Sequence, residues 1–179
     1  MGNDPITESV RDQLKTAVET HSLPLSRYAY SLCGCIHRSR DAVQDTFLRL
    51  ARRPEPVQPD ERLAPWLFKV CRSRVIDHFR KEGKMSELSE IAEMTLPAED
   101  SLQPNDATET TDSCAAVWQF IAKLPVNQRE VIRLKFQNQM SYQEIADVTE
   151  LSVSNVGYLL HTAMATLRQQ LKTETDLLA

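Results

Sequence analysis

The sequence predicts an all-α protein of two small helical domains joined by an acidic flexible linker, the second domain containing a helix-turn-helix. Three observations carry that expectation. A hydrophobic content of 41% combined with only 6% aromatics and four glycines in 179 residues suits helix packing better than the turns of a β-sandwich. Charge is divided unevenly along the chain. Residues 1–84 hold 15 Lys and Arg against 11 Asp and Glu, residues 85–122 hold none against 8, and residues 123–179 hold 6 against 6. Finally, the run from Ser141 to Val156 contains two helix start signals a short turn apart.

Taken in order, Ile6 to Glu19 and Leu25 to Leu32 read as two short helices, with a third over Asp41 to Arg53. Val43, Phe47 and Leu50 fall on one side of the third helix, and Gln44, Asp45, Leu48 and Arg52 on a neighbouring face. Pro54, Pro56 and Pro59 break the chain. Pro65 then sits where a helix can begin, because its missing N–H costs nothing in the first turn. The next helix spans about Trp66 to Lys81. Trp66, Val70, Val75, Ile76 and Phe79 are expected to face inward, Trp66 as a core residue, while Lys69, Arg72, Arg74, Arg80 and Lys81 stay outside. Five cations against one acid, Asp77, in sixteen residues point this helix towards phosphate.

The stretch from Met85 to about Ser113 holds Pro97, Pro104, many Ser and Thr, and little periodicity, so it reads as a linker between domain 1–84 and domain 114–179. In the second domain Ser141 and Glu144 form a capping box, each satisfying a backbone N–H that a helix start would otherwise leave unpaired. Ser152 can cap the following helix in the same manner. Ile145, Ala146 and Val148 then face Leu151, Val156 and Leu160 across the turn, which leaves Ser154, Asn155, Tyr158, His161 and Thr162 outward, as in a DNA-reading helix-turn-helix. That second helix ends near Leu171 or continues through Leu177 and Leu178.

Several function classes find no support. No stretch approaches the roughly 20 apolar residues of a membrane span. The start Met1-Gly2-Asn3-Asp4-Pro5 is neither a secretory signal nor, with Pro5, a good myristoylation site. The expected location is therefore the cytoplasm. Four cysteines do not make a disulfide framework. Cys33-Gly34-Cys35-Ile36-His37, with Cys71 or an acid as a fourth ligand, could hold zinc or sense redox, but C-x-C is tighter than the usual knuckle, and ordinary packing is the better reading. Cys114 stands apart. His78 and Asp77 are sequence neighbours on a helix and point apart, and there is no phosphate-cradling glycine loop, so neither an enzyme nor a cofactor is expected.

Three stretches in this order resemble one family: RDAVQDTFL from Arg40 to Leu48, WLFKVCRSRVIDHFRK from Trp66 to Lys81, and LPVNQREVI from Leu124 to Ile132 leading into Tyr142 to Ala146. Together they resemble the bacterial extracytoplasmic-function (ECF) sigma factors over nearly the whole chain. The resemblance implies a non-enzymatic initiation factor that binds core RNA polymerase, through Asp41, Gln44, Asp45 and Leu48, and promoter DNA. Lys69, Arg72, Ser73, Arg74, His78, Arg80 and Lys81 would then take the melted −10 strand, in a domain where cations hold the backbone and unstacked bases expose their edges. Ser154, Asn155, Tyr158, His161 and Thr162 would face the −35 duplex, Asn155 reading an adenine edge.

The chain departs from the family pattern in places. Ser73 stands where Asn is common, Gly157, Tyr158, Leu159 and Thr162 where Lys, Ser and Arg are common, and Glu150 where Gly often makes the turn, which implies a positive φ there. The family also implies a linker whose Asp100, Asp106, Glu109 and Asp112 mimic phosphates in the polymerase RNA channel, or simply tether. It implies an anti-sigma or other inhibitory partner and a monomer when free. A stand-alone helix-turn-helix regulator and a thiol or metal enzyme are the competing classes. The first has no use for a polymerase-docking strip, and the second lacks a catalytic set.

Overall fold

The structure, a computed structural model, describes residues 5–52, 63–81, 117 and 119–178. The proline cluster after Arg52, the acidic linker with its four candidate phosphate mimics, and Cys114 lie outside them. Residue contacts divide the chain into two compact units, Met1–Gly83 with Asp147–Glu150 and Lys84–Ala146 with Leu151–Ala179; the short segment Asp147–Glu150 is described with the helix-turn-helix that it completes.

The first unit is a bundle of α1 (Pro5–Cys33), α2 (Ile36–Ala51) and α3 (Leu63–Lys81), each packed on the other two. One continuous α1 replaces the two short helices expected from the sequence, even though Pro24 lies inside it. An internal proline costs about 3 kcal/mol. The residues that follow outweigh it: Leu25, Tyr28, Ala29 and Leu32 are all buried, and the Tyr28 ring meets Phe68 of α3 at 5.0 Å. Ser26 also donates its hydroxyl to the Ser22 carbonyl at 2.8 Å across this turn. Gly34 turns the chain between α1 and α2 with φ 62°, a conformation glycine takes without penalty. α2 begins at Ile36, five residues before the expected start, with Cys35 as its N-cap in extended backbone.

α3 buries Leu67, Phe68, Val70, Cys71, Val75 and Phe79. Phe79 also carries the Arg38 guanidinium over its ring at 5.4 Å. Trp66 corrects the sequence reading, because it is half-buried and outside that core. Positions 66, 69, 73, 77 and 80 recur at helical spacing, so Trp66 shares the outward row of Lys69, Ser73, Asp77 and Arg80.

The second unit holds α4 (Val126–Ile132), a π-helical turn over Arg133–Gln137, α5 (Tyr142–Thr149) and α6 (Val153–Leu178), preceded by helical residues 119–122. Its core includes Ile121, Leu124, Val131, Ile132, Leu134, Ile145, Val156, Leu160 and Ala163. The π turn was not foreseen. It ends in a connector closed by Asn138 N–H on the Arg133 carbonyl (3.3 Å) and Met140 N–H on the Leu134 carbonyl (3.1 Å), with Gln139 at φ 53°. α6 runs on to Leu178, which settles the open question of its end.

Both start signals are real. Ser141 N–H donates to Glu144 Oε2 at 2.7 Å and Glu144 N–H to Ser141 Oγ at 3.2 Å, while Asn155 N–H donates to Ser152 Oγ at 3.2 Å. Ser141→Ala should lower the unfolding free energy by about 1 kcal/mol, the usual worth of an N-cap hydroxyl, without altering far-UV helicity at 25 °C. Urea titration of both proteins checks this; equal midpoints would mean the box contributes nothing.

Candidate nucleic-acid and polymerase interfaces

On α2 the buried positions Ala42, Val43, Thr46 and Leu50 leave Asp41, Gln44, Asp45 and Leu48 together on the exposed side. The period of 3.6 residues decides this, since positions 41, 44, 45 and 48 form one contiguous strip. Leu48 is 51% exposed, a large apolar side chain set among two carboxylates and an amide. Such a strip can pair with guanidinium groups at its acidic end and seat an apolar contact at the other. Thr46 points inward, its hydroxyl on the Ala42 carbonyl at 2.7 Å.

On α3 the expected cations divide into two groups. Lys69, Arg80 and Lys81 are exposed with Ser73, whereas Arg72, Arg74 and His78 are half-buried. Asp77 lies between two of the arginines, with Oδ2 3.8 Å from Arg74 and Oδ1 3.5 Å from Arg80. The face thus combines exposed cations, a hydroxyl, and a half-buried indole. Sequence reasoning preferred the core to a base platform for Trp66, although its seven-residue spacing from Ser73 was the signal for the outward row. An indole beside cations is the combination that stacks unpaired bases while holding their backbone.

In the helix-turn-helix, Ser154, Asn155, Tyr158 and His161 are exposed and Thr162 is half-exposed, with its hydroxyl on the Tyr158 carbonyl at 2.9 Å. Tyr158 is 66% exposed. The turn places Glu150 at φ 60°, as its position implied, so a glutamate occupies the left-handed region that favours glycine. Leu151 N–H closes the turn on the Ala146 carbonyl at 3.2 Å. Before this motif, Lys135 Nζ donates to the Met140 carbonyl at 3.2 Å and lies 5.4 Å from the centre of the Tyr142 ring. Elsewhere in the unit a groove of about 290 Å³ is walled by apolar side chains, among them Phe120, Ile121, Ile132, Phe136 and Leu167.

The Cys33, Cys35 and His37 trio is not brought together. Gly34 separates the thiols between two helix ends: Cys33 is buried with its thiol on the Cys35 carbonyl at 3.3 Å, Cys35 caps α2, and His37 is exposed. No group of three or more His, Cys, Asp or Glu among the described residues could hold a metal ion. Burial raises the Cys33 thiol, and burial pushes Cys71 up to about 12 despite its hydrogen bond with Thr46. A thiol so placed has almost no thiolate at neutral pH. Iodoacetamide at pH 8 should therefore label Cys35 in the native protein, leaving Cys33 and Cys71 until urea unfolds it. Peptide mapping reads the order, and early Cys71 labelling would contradict the burial argument.

Comparison with known proteins identifies the family. The chain matches the Sigma-70 region 2 family over residues 17–85 and the Sigma-70 region 4 family over residues 114–167. It is 30% identical over 166 residues to the ECF RNA polymerase sigma factor EcfG of Rhodopseudomonas palustris (strain TIE-1), covering 91% of this chain and 85% of that protein. It is 24% identical over 169 residues to the ECF RNA polymerase sigma factor SigW of Bacillus subtilis (strain 168), covering 90% of each. The fold is similar to the sigma factor RpoE solved with the anti-sigma factor NepR from Bartonella quintana, at TM-score 0.65 and 22% identity over 88% of this chain and 96% of that one. It is also similar to CnrH solved with the cytosolic domain of CnrY, at TM-score 0.57 and 23% identity over 95% of this chain and 99% of that one.

The chain belongs to the ECF sigma factors, transcription initiation factors that direct RNA polymerase to promoters. Among the described residues no helix is long and apolar enough to cross a membrane.

Proposed function

We propose that the three exposed faces divide the work of initiation between them. The α2 strip of Asp41, Gln44, Asp45 and Leu48 docks on core RNA polymerase. The α3 face captures the −10 strand, with Lys69, Arg80 and Lys81 on the backbone, Arg72, Arg74 and His78 supporting, Ser73 against a base edge and Trp66 stacked on an unpaired base. Ser154, Asn155, Tyr158, His161 and Thr162 meet the −35 duplex. The work is done in the cytoplasm, as a complex with polymerase, and without catalytic chemistry of the chain's own.

The observation that carries this reading is the α2 strip. A stand-alone operator-binding protein has no use for an exposed leucine framed by two carboxylates on the helix next to its cationic face. The apolar groove of the second unit supports a further protein contact, since apolar grooves fit the apolar face of a partner helix. We assign it to an inhibitory protein of the anti-sigma kind, the class named for the partner of one fold neighbour.

Run-off transcription from a pooled library of promoter-like fragments, using bacterial core polymerase with and without this protein, tests the assignment. Protein-dependent transcripts that share two upstream elements are expected. Binding of the free chain to duplex operators without such transcripts would favour a stand-alone regulator and overturn it.

A further inference from the structure

From Phe136 to Leu167 the chain contains no lysine or arginine, yet this stretch includes the whole helix-turn-helix. Its charged residues are Glu144, Asp147 and Glu150, of which Asp147 and Glu150 are exposed. The nearest cations stand outside the motif. Lys135 is occupied by the Met140 carbonyl and the Tyr142 ring. Arg168 follows the start of α6 by fifteen residues, roughly 22 Å along the helix axis.

A duplex carries one negative charge per about 1.7 Å, and most protein affinity for it comes from cations that release counterions. The motif itself has no lysine or arginine to give that partner. What it does present is neutral: the Asn155 amide, whose backbone N–H is already fixed by Ser152, and one turn further the Tyr158 ring, 66% exposed. An amide can bond adenine at N6 and N7, and an aromatic edge can meet a thymine methyl, with no phosphate involved. Gly157, half-buried on the same helix, lies toward Tyr142, whose ring would stand 3.8 Å from a Cβ added there, an ordinary van der Waals contact.

We propose that this domain holds its duplex almost without ion pairs, Asn155 and Tyr158 supplying sequence discrimination, so that the −35 contribution to promoter affinity is nearly independent of salt. The salt response of promoter binding then belongs to the cationic α3 face. This rests on the −35 reading given above for the second unit.

The test uses holoenzyme reconstituted with the full chain, a promoter recovered from the pooled library, and the same fragment cut between its two elements. The ratio of the two affinities isolates the upstream duplex. Between 50 and 200 mM salt this ratio should fall less than about five-fold, whereas a surface making 6–10 phosphate contacts loses about 10³–10⁵ over the same range. Adding cations with Gly157→Lys and Thr162→Lys should steepen the log–log slope by about 0.9 each, a further fall of roughly twelve-fold. Asn155→Ala should reduce the ratio about ten-fold at every salt concentration. A wild-type ratio that falls more steeply than five-fold overturns the inference and leaves the −35 reading standing. A ratio of one at all salt concentrations overturns both.

Discussion

Asp45→Arg should abolish binding of this protein to core RNA polymerase while leaving the protein folded. Asp45 sits mid-strip on α2, exposed, with Asp41 one turn before it and Leu48 one turn after it. Within an interface its carboxylate would be desolvated against guanidinium groups, so reversal replaces an attraction with a like-charge contact lacking water to screen it. Losses of this kind run to about 3–5 kcal/mol, which is a fall of more than 100-fold in affinity. The same substitution is nearly harmless to the fold. Arginine is a good helix former, and an exposed helix position usually changes stability by less than about 0.5 kcal/mol. Native gel mobility with core polymerase, read beside a thermal melt, separates the two effects. Leu48→Ala should produce a milder loss of about ten-fold, because only apolar area is removed. Unchanged binding by Asp45→Arg would remove the strip from the interface.

How much of this was visible in the sequence depends on the range of the forces involved. The capping box was readable because a hydroxyl and a carboxylate three residues apart define the geometry by themselves, and the Ser152 cap because a serine hydroxyl at a helix start meets the backbone N–H three residues on. The α2 strip was readable for a similar reason, since the 3.6-residue period fixes which residues share its face. The positive φ of Glu150 was readable only through the family resemblance, because Gly often stands at that position of the turn.

Other features depend on what lies opposite. Pro24 looked like a helix breaker because locally it is one; burial of Leu25 and of Tyr28, whose ring meets Phe68 of α3, keeps α1 continuous, and no local rule contains that contact. Trp66 was placed inward by reading it onto the apolar face with Val70, although its angular position on α3 sets it with Ser73 and Arg80. The π turn at Arg133–Gln137 left no recognisable mark in composition. The cysteine cluster misled in the opposite sense: proximity in sequence suggested a site, and the turn at Gly34 sends the three side chains to different surroundings.

The double variant Arg74→Ala with Arg80→Ala should reduce promoter opening by about 30-fold or more while changing polymerase binding less than two-fold. Asp77 makes the effect larger than the loss of two cations. Its two oxygens are shared between these arginines at 3.8 and 3.5 Å, so removing both exposes an unneutralised carboxylate on the face that meets the melted strand. The strand therefore loses two potential phosphate contacts and gains a repulsion. Each lost single-strand contact flattens the salt dependence by about 0.7, which gives roughly 1.4 for the pair. The fold should survive, because side chains exposed by 31–64% form ion pairs worth less than about 1 kcal/mol. Permanganate reactivity of the −10 thymines measures opening, and native gels measure binding to polymerase. Adding Asp77→Asn to the double variant should restore part of the opening, about three- to ten-fold, by removing the exposed charge. Equal losses in opening and in polymerase binding would move these arginines to the docking surface. Normal opening would take them out of DNA capture and leave that work to Lys69, Lys81 and Trp66.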